Sequence, residues 1–366
     1  MHINVHKVDM ASPSDVSGLA ALIDAGTIDP ATIVALIGKT EGNGGANDFT
    51  RGFATLSYQL LLAKNLAISP EDVGKRIAFV WSGGTEGVLS PHATILTRTP
   101  AQGTPDGTKR LAIGITMTGT IAPEEIGTKR HASAVADAVR EALVEAGINN
   151  LDDVHYVQVK GPLLTPAGIA DADRRGVATA TRDPNGSKAF ARGAMALGVA
   201  LGLGEITQET FDTTRIAGDL DVYSAVASTS AGGELISCEI LLFGNSSQAT
   251  SPCRMGHAIL KDAIDASGVR RALASAGLSL SAEPTEDETS RIAAIFAKAE
   301  ASPTGKIRGH RNTMLSDADI NYERHARAAL GAVIASVTSD TAIFVSGGTE
   351  HQCAPGEAPI AAIVRI

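Results

Sequence analysis

Three lysines stand at the ends of apolar runs: Lys39 in "ATIVALIGKTEG", Lys160 in "VHYVQVKGP" and Lys298 in "IAAIFAKAEA". Each is followed, further along the chain, by a serine that opens a Gly-rich turn: Ser82 in "SGGTEG", Ser230 in "SAGGE" and Ser346 in "SGGTEH". A serine hydroxyl becomes a nucleophile only when a base takes its proton. None of the nine histidines recurs in all three settings, since His92, His257 and His351 each have different neighbours. Lysine is therefore the base the pattern offers. Its amine serves near neutral pH only when burial or nearby positive charge lowers its pKa, and an apolar strand supplies burial. Between each lysine and its serine lies an Ala/Leu/Gly-rich stretch opening on arginine: Arg51, Arg192, and Arg324 or Arg327. The planar guanidinium fork suits carbonyl or carboxylate oxygens. The residues after the serines, Gly83, Ala231 and Gly347, sit in turns where backbone N–H groups can approach a ligand and hold a developing oxyanion. The chemistry this set points to is Ser-Lys hydrolysis at a carbonyl.

The polar positions recur because their surroundings recur. Each unit reads strand, helix, Lys strand, Arg helix, strand, Ser-Gly turn, strand, and the two strands flanking each Ser-Gly turn are expected to pair as a hairpin. The run "HASAVADAVREALVEAG" ahead of Lys160 has the spacing of an amphipathic helix. Breaks rich in Gly, Pro, Ser and Thr fall at 100–110 and 244–254. They divide the chain into units spanning 1–103, 111–249 and 254–366, an α/β fold of three similar repeats. Packed around a pseudo-threefold axis, the units would bring three serines, three lysines and three arginines to one cavity. Three guanidinium forks at about 120° to one another suit a ring with three oxygens. The plain alternative is a triplicated domain with turn glycines and solvated lysines. Packing alone preserves an apolar pattern more readily than three polar positions in fixed order, which favours the shared site.

Bulk properties narrow the class. The chain has 366 residues, 44% hydrophobic and 4% aromatic, with 38 glycines, as in compact α/β enzymes. A net charge of −9 argues against a nucleic-acid or anionic-membrane surface. No apolar run has the length of a membrane span, and "MHINVHKVDMASPSD" lacks the basic-then-apolar leader pattern. Cys238, Cys253 and Cys353 form no CxxC or Cys/His cluster and suit a reducing cytoplasm. There is no G-x-x-x-x-G-K-[ST], G-x-S-x-G or H-E-x-x-H motif. "EGNGGAND" lacks the Lys-Ser/Thr of a phosphate cradle, and "GNSSQ" matches the Ser-Ser-Lys amidase pattern poorly.

The segments "VWSGGTEGVLSPH", "STSAGGELISCE" and "SGGTEHQCAPG" resemble the cyanuric acid hydrolase/barbiturase family, and the resemblance runs along essentially the whole chain. It implies three α/β units around a central β-barrel, the Toblerone fold, assembled as a homotetramer. It implies opening of a cyclic ureide by a Ser-Lys pair; cyanuric acid would give carboxybiuret, which loses carbon dioxide to biuret. Lys39/Ser82, Lys160/Ser230 and Lys298/Ser346 match the family's three pairs, and Arg51, Arg192 and Arg324 its carbonyl binders. A structural divalent cation, Mg²⁺ or Ca²⁺, is implied as well. Its carboxylate would be Glu300 and its loop Thr349–Glu357, with Thr349, Gln352, Cys353, Ala354 and Glu357 as the matching positions. In that loop "CAPGEAP" replaces a more glycine-rich run.

All three serines are eligible nucleophiles. The first and third motifs are identical over SGGTE, whereas the second reads SAGGE, and Lys160 alone is followed by Gly161-Pro162. The odd unit is where a distinct task belongs, so Lys160/Ser230 is the expected catalytic pair. Barbituric acid, which carries CH₂ in place of one ring N–H, is the alternative substrate. A non-catalytic binder of small cyclic amides is the alternative from another class.

Overall fold

The computed structural model describes residues 1–45 and 47–366. The first unit holds strands β1 (His2–Asp9), β2 (Ile33–Thr40), β3 (Ala78–Gly83) and β4 (His92–Thr99) with helices α1 (Ser17–Asp24), α2 (Phe49–Leu66) and α3 (Pro70–Arg76). The second holds β5 (Arg110–Met117), β6 (Val154–Pro162), β7 (Ala227–Gly232) and β8 (Glu239–Ser246) with α4 (Lys129–Ala146), α5 (Pro166–Arg174), α6 (Ser187–Gly202) and α7 (Gln208–Thr213). The third holds β9 (Cys253–Leu260), β10 (Ile292–Ala299), a small hairpin β11 (Lys306–Ile307) and β12 (His310–Arg311), β13 (Phe344–Gly347) and β14 (Ala358–Arg365). Its helices are α8 (Ala266–Ser275), α9 (Glu286–Ser290) and α10 (Tyr322–Thr338).

The three main sheets share one topology. Their orders are β1-β4-β2-β3, β5-β8-β6-β7 and β9-β14-β10-β13. In each, only the second and third strands of the unit run parallel. This corrects the hairpin expectation. The strands on the two sides of each Ser-Gly turn are not neighbours, because the Lys strand lies between them and pairs with both. The physical reason is the Arg helix: a crossover of that length lets the serine strand return parallel to the lysine strand. Each Lys strand also carries a register shift at the same place, at Ile33/Ala35, Val154/Tyr156 and Ile292/Ala294. A bulge of this kind bends the strand and sharpens its twist.

Each sheet is buried on both faces, which is why its strands read as nearly continuous apolar runs. One face of each packs on helices of its own unit; in the second unit Val135, Val139 and Ala142 of α4 and Met195 and Val199 of α6 meet Val157, Val159 and Ile240. The other faces enclose one common core, with Ile3, Ile37 and Val80 from the first sheet, Ile113, Tyr156 and Phe243 from the second, and Phe296, Phe344 and Ile363 from the third. Few aromatics are available, and four of them meet here: Tyr156 stacks on Phe296 at 5.2 Å, with Phe243 and Phe344 also against Phe296. This three-walled, barrel-like core brings the C-terminal ends of the Lys and serine strands together.

Candidate active site

The parallel ladders set the chemistry. Lys39 lies opposite Ser82, Lys160 opposite Ser230 and Lys298 opposite Ser346. Residues opposite each other point to one face of a sheet, so each lysine and serine of a pair emerge side by side. Ser82, Ser230 and Ser346 all line one central cavity, together with Gly83, Ala231 and Gly347 and with Arg51, Arg192 and Arg327. Lys160 lines it too, whereas Lys39 and Lys298 lie fully buried beside their serines and outside the lining.

The three pairs differ in their hydrogen bonds. Lys39 Nζ is 3.3 Å from Ser82 Oγ and donates to the Val345 carbonyl at 2.6 Å. Lys298 Nζ is 2.8 Å from Ser346 Oγ and donates to the carbonyls of Thr229 and Gly347 at 2.7 and 2.8 Å. Val345 precedes Ser346 and Thr229 precedes Ser230, so each of these lysines reaches into the next unit at the equivalent place. The same rotation would take Lys160 to the Trp81 carbonyl. Lys160 Nζ instead sits 3.3 Å from Glu234 Oε1, and the buried Ser230 Oγ has no hydrogen-bond partner among the described residues. Burial, then the Arg192 charge, lowers the Lys298 pKa to about 7. Burial, then Arg327, puts Lys39 well below its ordinary value. Lys160 is lowered by burial as well, opposed by Glu234.

The arginines come from the first two turns of the three crossover helices. Asp48 caps α2 through the Thr50 N–H, and Asn321 caps α10 through the Glu323 N–H, which fixes where each helix begins. Arg51 and Arg192 reach the cavity as expected. The third cavity arginine is Arg327, not Arg324: Arg327 is buried and lines the cavity, while the Arg324 side chain is 48% exposed on an outer pocket. Positions three apart on a helix lie one turn apart along the axis and about 60° apart around it; both arginines meet Glu86, but only Arg327 lies deep enough to line the cavity.

A second ring of charge went unread in the sequence. Glu86, Glu234 and Glu350 each stand four residues after a site serine, and each pairs with an arginine of another unit. Arg327 Nε and Nη2 donate to Glu86 at 2.9 and 2.6 Å, and Arg192 Nε and Nη2 to Glu350 at 2.7 and 2.6 Å. Arg51 Nε donates to Glu234 at 3.3 Å. Burial alone would raise the Glu234 carboxyl, but Lys160 and Arg51 outweigh it and hold it at about 2. The signal was present, since SGGTE and SAGGE share their last residue. The glycines in these turns make room for the ring: Gly348 has φ +82, and a Cβ there would overlap the Arg192 guanidinium. Lys188 and Glu323, 3.3 Å apart, also line the cavity, without counterparts in the sequence reading.

Glu300 follows the third Lys strand, and its Oε1 accepts the Ala301 N–H. It forms no ion pair among the described residues, and burial, then the Glu350 charge, pushes its carboxyl up to about 7. A half-buried carboxylate that feels the Arg192 charge but has no cation within ion-pairing distance among the described residues suits a hard divalent ion. The loop side chains offer little else. Gln352 is occupied, accepting the Thr229 N–H at 2.8 Å and donating to the Gly348 carbonyl at 3.1 Å. Burial pushes the Cys353 thiol up to about 12, so it stays protonated. The Thr349 and Ala354 carbonyls already accept the Gln352 and Glu357 N–H groups. Among the described residues no three His, Cys, Asp or Glu side chains cluster as metal ligands. A cation there would meet one carboxylate and main-chain oxygens of Thr349–Glu357, donors that suit Mg²⁺ or Ca²⁺ rather than zinc.

Comparison with known proteins agrees with this architecture. A family model described as amidohydrolase ring-opening protein matches residues 4–365. The chain is 69% identical over 365 residues to a cyclic amide hydrolase of Azorhizobium caulinodans, covering all of both chains. It is 48% identical over 373 residues to a cyanuric acid amidohydrolase of Enterobacter cloacae, again over the full length of both. The solved structure of a cyanuric acid hydrolase, described as an innovation by structural concatenation, superimposes with a TM-score of 0.93 at 47% identity, over 100% of this chain and 99% of that one. The chain belongs to the ring-opening amidohydrolase family, and its fold is the concatenated, three-unit Toblerone fold.

Proposed function

We propose that this member of the ring-opening amidohydrolases hydrolyses cyanuric acid, using Ser230 as nucleophile and Lys160 as its base. The observation that carries the reading is the ring of three serines and three arginines, one of each per unit, around a single cavity. A planar ring with three carbonyls meets one guanidinium at each. Ser230 is the site serine whose hydroxyl has no partner among the described residues, so it is available to the substrate. Of the three strand lysines, Lys160 is the one that lines the cavity, so it can reach both the Ser230 proton and a leaving ring nitrogen.

In this scheme neutral Lys160 takes the Ser230 proton as Oγ attacks a ring carbonyl. Backbone N–H groups of the turns at Gly83, Ala231 and Gly347 are the donors placed to hold the oxyanion. Lys160 then protonates the departing ring nitrogen, and the C–N bond breaks. Water, deprotonated by Lys160, attacks the acyl-serine and releases carboxybiuret, while Lys160 returns the proton to Ser230. A second reading rests on the 2.8 Å contact between Lys298 and Ser346 together with the near-neutral Lys298. Against it, Lys298 is held by two backbone carbonyls and lies outside the cavity lining.

A divalent cation held by Glu300 and main-chain oxygens of Thr349–Glu357 would order the turn that carries Ser346, with no part in bond breaking. The assembly proposed is a cytoplasmic homotetramer. Three buried, unpaired cysteines suit a reducing compartment. Phe49, Phe53, Leu56 and Leu60 form an exposed apolar stripe on α2 that an oligomer would cover. Among the described residues no helix is long and apolar enough to cross a membrane. The test is loss of ring ultraviolet absorbance on incubation with cyanuric and with barbituric acid. Turnover of cyanuric acid supports the reading; preference for barbituric acid, or binding of both without turnover, overturns it.

A further inference from the structure

The threefold pattern breaks at one more place, across the ladder from Lys160. In the antiparallel β6–β8 pair, Lys160 lies opposite Glu239. The equivalent partner of Lys39 is His92, whose Nδ1 is 2.9 Å from the Ser90 carbonyl oxygen. In the third unit the ladder runs only to Ala297–Ile360, one residue short of Lys298. The second unit alone sets a carboxylate across from its lysine. Residues directly opposite in an antiparallel pair have Cβ atoms about 4.5–5.5 Å apart on one face. Glu239 Oε2 is buried with no hydrogen-bond partner among the described residues.

Lys160 and Glu239 also share a second cavity, of about 280 Å³. Thr55 and Gln59 of α2, Trp81 and Glu234 complete the part of its wall that matters here. Lys160 is common to this cavity and to the one lined by the serines. The charged groups facing Glu239 are Lys160 from β6 and Glu234 from the turn after β7, and the Phe79 N–H of β3 is directed at it. On its outward side Glu239 also lines an outer pocket, together with Lys75 and Arg76 of α3 and Arg98 of β4. Met117, its β5 partner, is uncharged.

We propose that Glu239 accepts the proton that Lys160 must shed after each turnover and passes it to water in this second cavity. The inference rests on the Lys160/Ser230 reading. Ring opening yields a carboxylic acid that ionises, and the nearest base to receive its proton is Lys160. The next cycle needs the neutral amine. The transfer is Lys160–NH₃⁺ plus Glu239–COO⁻ giving Lys160–NH₂ plus Glu239–COOH, after which Glu239 releases the proton to cavity water. The two groups form no direct ion pair within 4.0 Å, so a bridging water carries the step. Glu234, held at about 2, does not take up a proton near neutrality. Burial pushes Glu239 up to about 7, where a carboxyl both accepts and releases protons. Glu239 therefore acts through Lys160 and does not touch the substrate.

The test is steady-state kinetics of Glu239→Gln on cyanuric acid at fixed pH and ionic strength, with imidazole varied as a diffusible proton carrier. The expected result is a kcat reduced by about tenfold or more with KM within about twofold, and recovery of kcat as imidazole is added. The unchanged enzyme should be indifferent to imidazole. Thr55→Phe, which fills the second cavity without touching Lys160, should lower kcat with no relief by imidazole, because the carrier's route is filled. A Glu239→Gln kcat within twofold of the parent, a Glu239→Gln loss that imidazole does not relieve, or full kcat in Thr55→Phe would overturn the inference. Ser230→Ala separates the two readings: turnover surviving in it removes the Lys160/Ser230 assignment itself.

Discussion

Lys160 faces Ser230 across the β6–β7 ladder, yet its Nζ lies 3.3 Å from Glu234 and the Ser230 hydroxyl is left with no partner among the described residues. The other two lysines are tied to carbonyls of the adjoining unit. A buried hydroxyl without a partner costs about 1–3 kcal/mol, and a substrate carbonyl or ring N–H that meets it recovers that cost at the place where reaction occurs.

The three serine variants should therefore separate. Ser230→Ala removes nearly all turnover, a loss of about 10³-fold or more in kcat. Ser82→Ala and Ser346→Ala keep measurable kcat and raise KM, since those serines only contact the ring. Single-turnover and steady-state rates of the three proteins, measured side by side with circular dichroism as a check on folding, decide this. Equal residual kcat in Ser230→Ala and Ser346→Ala would favour the Lys298/Ser346 pair.

Arg51→Ala, Arg192→Ala and Arg327→Ala should each weaken transition-state binding by about 2–4 kcal/mol, as for loss of a charged hydrogen-bonding group in a closed site. Arg324→Ala should cost less than about 1 kcal/mol, because its side chain is 48% exposed and its contact with Glu86 is 3.3 Å. The ratio of kcat/KM between the Arg324 and Arg327 variants is the measurement. A larger loss at Arg324 would refute the placement of the third arginine.

The glutamate ring should show as stability. Glu86→Ala leaves Arg327 buried without its partner and should cost about 3–5 kcal/mol. Glu350→Ala costs less, because Glu323 remains 3.2 Å from Arg192. Glu234→Ala costs least, since its side chain is 33% exposed, Asp48 remains 3.6 Å from Arg51, and buried Lys160, which loses the same partner, can give up its proton. Urea denaturation midpoints at pH 7 rank the three, and any other order counts against this account.

Glu239 makes stability pH-dependent in a defined direction. Its folded pKa, about 7, lies above the ordinary 4.5 because the carboxyl is buried. Between those values the folded chain keeps a proton that the unfolded chain has lost, so stability falls as pH rises from 4.5 through 7. The drop attributable to this group is about 1–3 kcal/mol. Glu239→Gln should flatten that part of the curve relative to the parent. Identical pH dependence in the two proteins would show that Glu239 is not held protonated.

Chelation tests the cation. Prolonged EDTA treatment should lower the melting temperature by several degrees while surviving enzyme keeps most of its kcat, and Glu300→Gln should abolish the effect of EDTA. Elemental analysis finding no Mg²⁺ or Ca²⁺ in active protein would rule the cation out.

The triplication, the Lys strands, the Arg helices and the three serines were legible in the sequence because each repeats three times. Repetition separates polar positions held for a task from those that drift, and strand and helix periods show in apolar spacing. Glu86, Glu234 and Glu350 repeat equally, but a glutamate in a turn reads as solvated until its partner is known, and that partner lies in another unit. The hairpin expectation failed for a related reason. Pairing is set by the crossover helix and the shared core, and neither strand flanking the Ser-Gly turn carries a mark of which neighbour it will take. Arg324 and Arg327 are likewise alike in the sequence; the rotation of α10 about its axis, fixed by packing Ala326 and Leu330 into the third unit's core, points one inward. Sequence alone thus determined the residue set and its threefold order, since both are written in local pattern. The breaking of that symmetry belonged to tertiary structure: Lys160 turned to Glu234, Ser230 left free and Glu239 set across the ladder are contacts between elements distant along the chain, governed by burial and charge balance at a closed centre.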